Sequence, residues 1–286
     1  MSAMKADERN AEQVEFWNGP GGQHWIKLQE MWDIVLTPVA DRTLARAAAQ
    51  AGERVIDVGC GCGATTIELG KAVGSRGHVL GLDISAPMLA RAAERLPAGL
   101  PVEFLQADAT IHPLPPGSFD LLFSRFGVMF FAEPVRAFAN LRRGLKKGGR
   151  LAFACFRDSK LNLWMMVPLK AAYEHVPPLP KLGPEDPGPF SFASEERVRR
   201  ILTEAGFAAI GLEPVDLALD IAAGCGLEAA VAATLEIGPT SRAVAGHPPA
   251  VRDAVAASVK KALMPCQRGN SVPLPAAIWI VTAINP

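Results

Sequence analysis

Neither sign of charge dominates this chain: Lys and Arg together number 29, and so do Asp and Glu. Proteins that grip nucleic acid through its phosphates usually carry a basic surplus. The balance therefore favours a small-molecule substrate, and no nucleic-acid partner is expected. Long apolar runs are missing too. The nearest approach, IAAGCGLEAAVAATL (residues 221–235), is rich in Ala and Gly, carries Glu228 and is too short to cross a bilayer. The opening residues, MSAMKADERNAEQ, lack the apolar centre of a signal peptide, so a cytoplasmic location without membrane contact is expected. Cysteines are few and odd in number: Cys60, Cys62, Cys155, Cys225 and Cys266. Without a leader, that count points to reduced thiols rather than a disulfide framework. Cys60 and Cys62 are spaced C-x-C with no second Cys/His pair at zinc spacing, so no metal site is expected. Both read as small residues packing against a tight turn.

What is present is a chain that can build a core. It is 49% hydrophobic and only 20% charged over 286 residues, enough for one large α/β domain or two small ones. Short apolar runs ending at Gly, Asp or Ser read as strands: RVIDV (54–58), HVLGLD (78–83), VEFLQAD (102–108), FDLLFS (119–124) and GRLAFACF (149–156). Between them lie helical patterns, one with Met88, Leu89, Ala92, Ala93 and Leu96 on a single face, another with Val135, Phe138, Ala139 and Leu145. Gly144 and the KKGG turn (146–149) should close the second helix. Ser194 before Glu195 and Glu196 reads as the N-cap of a helix ending at Gly206. Strands near 208–217 and over AAIWIVTAI (276–284) should complete the set. The fold class expected is α/β, a doubly wound, mostly parallel, seven-stranded sheet.

Three segments depart from the alternation. Residues 1–50 should form an N-terminal helical cap, interrupted by a turn at WNGPGGQHW (17–25). The remainder, 51–286, should be the core. It carries insertions at 157–193, whose PPLPKLGPEDPGPF (177–190) excludes a regular helix or central strand, and at 221–271, with helices near 226–236 and 249–264. Together the insertions should make a substrate cap.

The chemistry-bearing stretch is RVIDVGCGCG (54–63). Glycines after a strand let backbone approach a ligand, and the following helix N-terminus offers free amides. Gly59, Gly61 and Ala64 also satisfy the dinucleotide fingerprint G-x-G-x-x-G/A, and Asp83 lies where either kind of nucleotide would need an acid for its ribose. Asp57 separates the two. A carboxylate near the loop repels a pyrophosphate but suits a ligand bearing a sulfonium and an ammonium.

Four motifs in order resemble those of the class I (Rossmann-like) S-adenosylmethionine-dependent methyltransferases, in the small-molecule branch like the enzymes of ubiquinone biosynthesis. They are VIDVGCGCG (55–63), GLDISAPML (81–89), QADAT (106–110) and FDLLFSRFGVMFF (119–131). The resemblance covers about residues 50–156. It implies S-adenosylmethionine as cofactor, with Asp57, Gly59, Cys60, Gly61 and Gly63 around its methionine end. It also implies Asp83 on the ribose, Ile84 or Met88 against adenine, Asp108 accepting from the adenine amino group and Ala109 offering its amide. The strand end Ser124 to Phe126, including Arg125, would face cofactor and acceptor. N-terminal helices folding over the site would bring Trp25 or Gln29 to the methionine end.

A methyl already activated by positive sulfur needs alignment and exclusion of water more than it needs a base. If a base acts, His24 in the WNGPGGQHW turn is the candidate; His112, next to the third motif, is expected to be solvated. Trp164, Met165, Met166, Tyr173, Phe190 and Phe192 are candidate lining for an apolar acceptor cavity. Arg125 would pair with an acidic substrate or an internal carboxylate. SRFG replaces the N/D-P-P-Y/W motif of base methylases, which disfavours nucleic-acid methylation. The expected function is methyl transfer to a small apolar or aromatic metabolite. The alternatives are an NAD(P)-dependent oxidoreductase and a non-catalytic S-adenosylmethionine-binding protein.

Overall fold

The computed structural model describes residues 4–183 and 185–286; Pro184 of the proline-rich segment and the first three residues lie outside that description. The N-terminal region forms α1 (Ala11–Asn18), α2 (Pro20–Lys27) and α3 (Gln29–Ala47). The alternating core follows as β1 (Arg54–Val58), α4 (Ala64–Val73), β2 (His78–Asp83), α5 (Ala86–Arg95), β3 (Val102–Gln106), β4 (Phe119–Arg125), α6 (Pro134–Gly144) and β5 (Leu145–Phe156). Then come α7 (Leu163–Ala172), α8 (Glu195–Glu204), β6 (Ala208–Asp220), α9 (Leu227–Glu236), α10 (Pro239–Val244), α11 (Pro249–Leu263) and β7 (Pro273–Ile284).

The strands order as β3-β2-β1-β4-β5-β7-β6 in one seven-stranded sheet. All pairings are parallel except those of β7, which runs antiparallel to both β5 and β6. The chain's winding direction reverses between β1 and β4, and ligands of such sheets sit beyond the strand tips at that reversal. A dinucleotide-binding sheet runs 3-2-1-4-5-6 without an inserted antiparallel strand, so the topology also separates the two readings of the glycine loop.

Both faces are covered. Ala47 of α3 and Leu69 and Val73 of α4 pack with Val55, Val79, Leu121 and Phe123 on one face. On the other, Phe138 of α6 meets Phe153, Phe192 and Phe207 at centroid distances of 5.7, 6.2 and 6.3 Å. Each such fully buried aromatic side chain contributes roughly 1.5–3 kcal/mol. Ser194 caps α8 by accepting from the Arg197 amide, as the sequence indicates.

Several local expectations are corrected. The PGGQHW segment is not a turn: the break is confined to Gly19, and Pro20 opens α2 at its first position, where its missing N–H costs nothing. KKGG is drawn into β5. The pairing jumps from Phe119↔Leu145 to Leu121↔Arg150, and Gly148 (φ +74°) donates its amide to the Asn285 carbonyl, so the segment is a bulge held by β7's end. The helix α7 runs through Pro168, ahead of the proline-rich segment. The third N-terminal helix also does more than cover the site: Val39, Thr43 and Ala47 are fully buried against the sheet.

Candidate active site

The glycine loop is shaped by close approach. Gly59, Gly61 and Gly63 have φ of +67°, +55° and +79°, which side chains other than glycine's rarely tolerate. A Cβ on Gly59 would stand 2.6 Å from the Gly127 Cα beyond β4, and one on Gly61 would stand 2.9 Å from the Met88 methyl. The loop is thus wedged between the tip of β4 and α5.

Three carboxylates stand at the tips of β1, β2 and β3, each held differently. The Asp83 Oδ2 atom accepts from the Gly61 amide and Oδ1 from the Ser85 amide, both at 2.8 Å. Burial pushes this carboxyl up from the ordinary value, and the amides it accepts from oppose the rise. Each of its oxygens keeps a second lone pair for a hydroxyl. Asp57 is fully buried. Its Oδ2 accepts from Thr65 Oγ1 at 2.9 Å and Thr66 Oγ1 at 2.7 Å, while its Oδ1 has no partner among the described residues. Burial raises its pKa to about 6, against the pull of the two hydroxyls and Arg125. A buried carboxylate oxygen left unpaired is costly, and an ammonium group would satisfy it. The residues therefore fit S-adenosylmethionine.

Asp108 is claimed by the N-terminus. Its Oδ2 accepts from the Asp7 amide at 2.9 Å and Asn10 Nδ2 at 2.8 Å, and its Oδ1 from the Thr110 amide at 2.8 Å. Asn10 also reaches Thr110 Oγ1 and accepts from the Ala132 amide. Further along, Asn18 donates to the Ile84 carbonyl and accepts from the Ala86 amide, and Ser85 donates to the Trp17 carbonyl. The segment from Asp7 to Asn18 is therefore strapped across the tips of β2 and β3. Sequence reasoning missed Asn10: its partners lie about a hundred positions away.

The other expected residues fall in distinct places. Met88 is 5% exposed on α5's apolar face, and its amide donates to the capping Ser85. Ala109 is buried and gives its carbonyl to Asn140 Nδ2. Ser124 is fully buried and donates to the Val58 carbonyl at 2.7 Å, stitching β4 to β1. Burial raises the Cys60 thiol well above its ordinary range and lifts Cys62 to about 12, so both are neutral packing groups. Gln29 is bonded to Asp33 and Arg91. Asp33 in turn accepts from Arg95, which also donates to the Cys62 carbonyl, so α3 is bolted to α5 beside the loop. His24 is 43% exposed at its side chain, and its Nε2 lies 3.8 Å from Glu236 of α9. Lys27 and Arg252 also face that glutamate, so His24 sits in a seam between cap helices. Trp25 packs between Trp17 and Trp32 at 6.3 and 6.1 Å.

Arg125 ends β4. The register pairs Asp57 with Phe123 and Arg125 with Ala154, so Asp57, Phe123 and Arg125 share the face that α3 covers. Burial lowers the Arg125 pKa, with Asp33 and Asp57 opposing. Among the described residues its side chain makes no ion pair or hydrogen bond.

Fold and site together define a class I S-adenosylmethionine-dependent methyltransferase. The methyltransferase domain family matches residues 55–149. The demethylmenaquinone methyltransferase of Thermus thermophilus is 32% identical over 179 residues, 58% of this chain and 80% of that one. The ubiquinone/menaquinone biosynthesis C-methyltransferase UbiE of Marinomonas sp. is 29% identical over 176 residues, 58% of this chain and 70% of that one. Among solved structures, a Haemonchus contortus phosphoethanolamine N-methyltransferase 2, in complex with phosphomonomethylethanolamine and S-adenosylhomocysteine, superposes with a TM-score of 0.53 at 19% identity. The match covers 87% of this chain and 52% of that one, so the chain spans about half of that protein. The chain belongs to the class I S-adenosylmethionine-dependent methyltransferases, as a distant relative of the menaquinone and ubiquinone enzymes. Among the described residues no helix is long and apolar enough to cross a membrane.

Proposed function

We propose that the protein methylates a small apolar or aromatic metabolite beneath a cap built from its N-terminal helices and its two insertions. The observation that carries this reading is the aromatic wall on the α3 side of the β4 and β5 tips. Phe126 stacks on Phe156 at 4.1 Å, Phe156 meets Trp164 at 5.7 Å, and Trp164 meets Trp32 at 5.9 Å. Phe126 holds a φ of +71°, a conformation costing roughly 1 kcal/mol or more outside glycine, and it lies beside the Gly59–Gly127 contact. Strain of this kind gathers at functional sites. Demethylmenaquinone, for which the Thermus thermophilus relative is named, is of the same apolar character.

In this reading S-adenosylmethionine, when bound, supplies a methyl group activated by its positive sulfur. Asp57 Oδ1 receives the ammonium, Asp83 the ribose hydroxyls, and Asp108 with the Ala109 amide the adenine edge, with Ile84 and Met88 against its ring. Gly59, Cys60, Gly61 and Gly63 supply the backbone surface of the cradle, closed by Ser124, and Trp25 belongs to the roof. The seam position of His24 makes it a latch between α2 and α9 in this reading, so the chain excludes water and aligns the acceptor without a histidine base. Incubating the protein with methyl-labelled S-adenosylmethionine and separated polar and apolar metabolite fractions tests this. Label should enter an apolar, ultraviolet-absorbing product. Label confined to polar products would refute the substrate class.

A further inference from the structure

We propose that Arg125 and the Trp32 indole N–H form a seat for an anionic oxygen on the methyl acceptor, which is therefore an ionised phenol or enol. The proposal rests on the methyl-transfer reading and extends it to the substrate's chemistry.

Two unsatisfied donors carry it. Trp32 is 3% exposed and its Nε1 has no hydrogen-bond partner among the described residues. Two other tryptophans are supplied with acceptors: Trp164 Nε1 donates to Asn162 Oδ1 and Trp279 Nε1 to the Ala193 carbonyl. A buried indole N–H without an acceptor costs free energy unless a ligand supplies one. The Arg125 guanidinium is the second, half-buried at the β4 tip and, among the described residues, in no ion pair or hydrogen bond. The two acids acting on it most are engaged elsewhere, Asp33 with Gln29 and Arg95, Asp57 with Thr65 and Thr66.

Both donors sit on one side of the sheet. Arg125 pairs with Ala154, so Phe156, two residues on, shares its face, and Phe156 joins Trp32 through Trp164. A planar ring placed on this wall would lie on the side of the sheet that carries both the guanidinium and the indole. Such a pair favours a charged oxygen over a neutral one, since hydrogen bonds to ions are about twice as strong as neutral ones. The acceptor gives its hydroxyl proton to water as it binds, and the resulting anion is the stronger nucleophile. Its bond to the methyl carbon forms as the carbon–sulfur bond breaks, the electron pair leaving on a now neutral sulfur. No side-chain base is therefore needed for that proton.

The test uses the whole protein saturated with S-adenosylhomocysteine, with para-nitrophenol as probe and para-nitroanisole, its oxygen capped, as control. The phenolate is coloured, so ionisation of the bound probe is read directly. The wild type should bind the phenolate about tenfold more tightly than the anisole and ionise it at lower pH than in water. R125Q should abolish both effects, W32F should weaken the preference, and R125K should keep most of it. Anisole affinity should be unchanged in all three. Calorimetric S-adenosylhomocysteine affinity should be unchanged in W32F and R125K and should shift by less than about threefold in R125Q, whose lost charge acts on Asp57. Equal affinity for phenol and anisole in the wild type would overturn the proposal. So would a tenfold loss of S-adenosylhomocysteine affinity in R125Q, which would give Arg125 to the cofactor's carboxylate instead. No S-adenosylhomocysteine binding by the wild type would overturn the cofactor assignment itself, a separate outcome.

Discussion

The tips of β1, β2 and β3 and the tips of β4 and β5 lie side by side on one sheet edge, yet they are finished in opposite ways. At the first, polar atoms are almost all paired within the chain: Asp83 takes two amides, and Asp108 takes two amides and a side-chain donor. At the second, the Trp32 indole N–H is buried without a partner among the described residues, and the half-buried Arg125 makes no ion pair or hydrogen bond among them, beside an aromatic wall. On the proposed reading, the lesson is that a cradle for a fixed cofactor can be organised by the chain alone, whereas a site for a reacting substrate leaves donors for the substrate to complete. Among the described residues, the buried Asp57 Oδ1 is an orphan at the first, on β1, the strand that borders β4.

The contrast can be broken most severely at the loop. Gly59→Val forces a side chain into a +67° backbone and onto the Gly127 backbone. A loss of about 3 kcal/mol in urea unfolding is expected, with cofactor binding abolished. Asp83→Ala leaves the Gly61 and Ser85 amides unpaired and removes the proposed ribose acceptor. Calorimetry should show S-adenosylhomocysteine binding weakened by roughly 1–3 kcal/mol; an unchanged affinity would deny Asp83 that role. Asn10→Ala cuts the strap from Asp108 and Thr110. About 1 kcal/mol of stability should go, and S-adenosylhomocysteine should dissociate faster in stopped-flow measurement. The smallest effect should come from His24→Gln, which loses only an exposed pairing with Glu236. Label transfer to the wild-type product should change less than about twofold, and a large, pH-dependent loss would restore His24 as a base.

Much of the first region was legible in the sequence because its signals are local. VIDVGCGCG contains its own strand, turn and helix start, and each acid ends a strand recognisable from its apolar run. The α/β class and the order of motifs followed from the same short-range patterns. The second region was not legible, because it is assembled from α3, the β4 tip, the β5 tip and α7, segments separated by up to about 130 positions. Nothing near Trp32 marks its N–H as unpaired, and Arg125 differs from a paired arginine only through what three other elements fail to offer it. Pro20 misled for a related reason: proline reads as a breaker, yet at the first position of a helix it is well suited. The KKGG bulge depends on Asn285 at the far end of the chain.

The most direct check is the pH dependence of S-adenosylhomocysteine binding, in the wild type and in Asp57→Asn. The folded pKa of Asp57, about 6, lies above its ordinary 3.8. Its neutral form therefore stabilises the ligand-free fold below pH about 4, and that contribution is lost as pH rises through about 6. A ligand ammonium prefers the ionised form, so affinity should rise with pH to about 6 and then level off. In Asp57→Asn the profile should be flat and the affinity lower, while the ligand-free variant is more stable than wild type at neutral pH. A wild-type profile already flat from pH 5 to 7, with Asp57→Asn binding equally well, would contradict the placing of the cofactor's ammonium at Asp57.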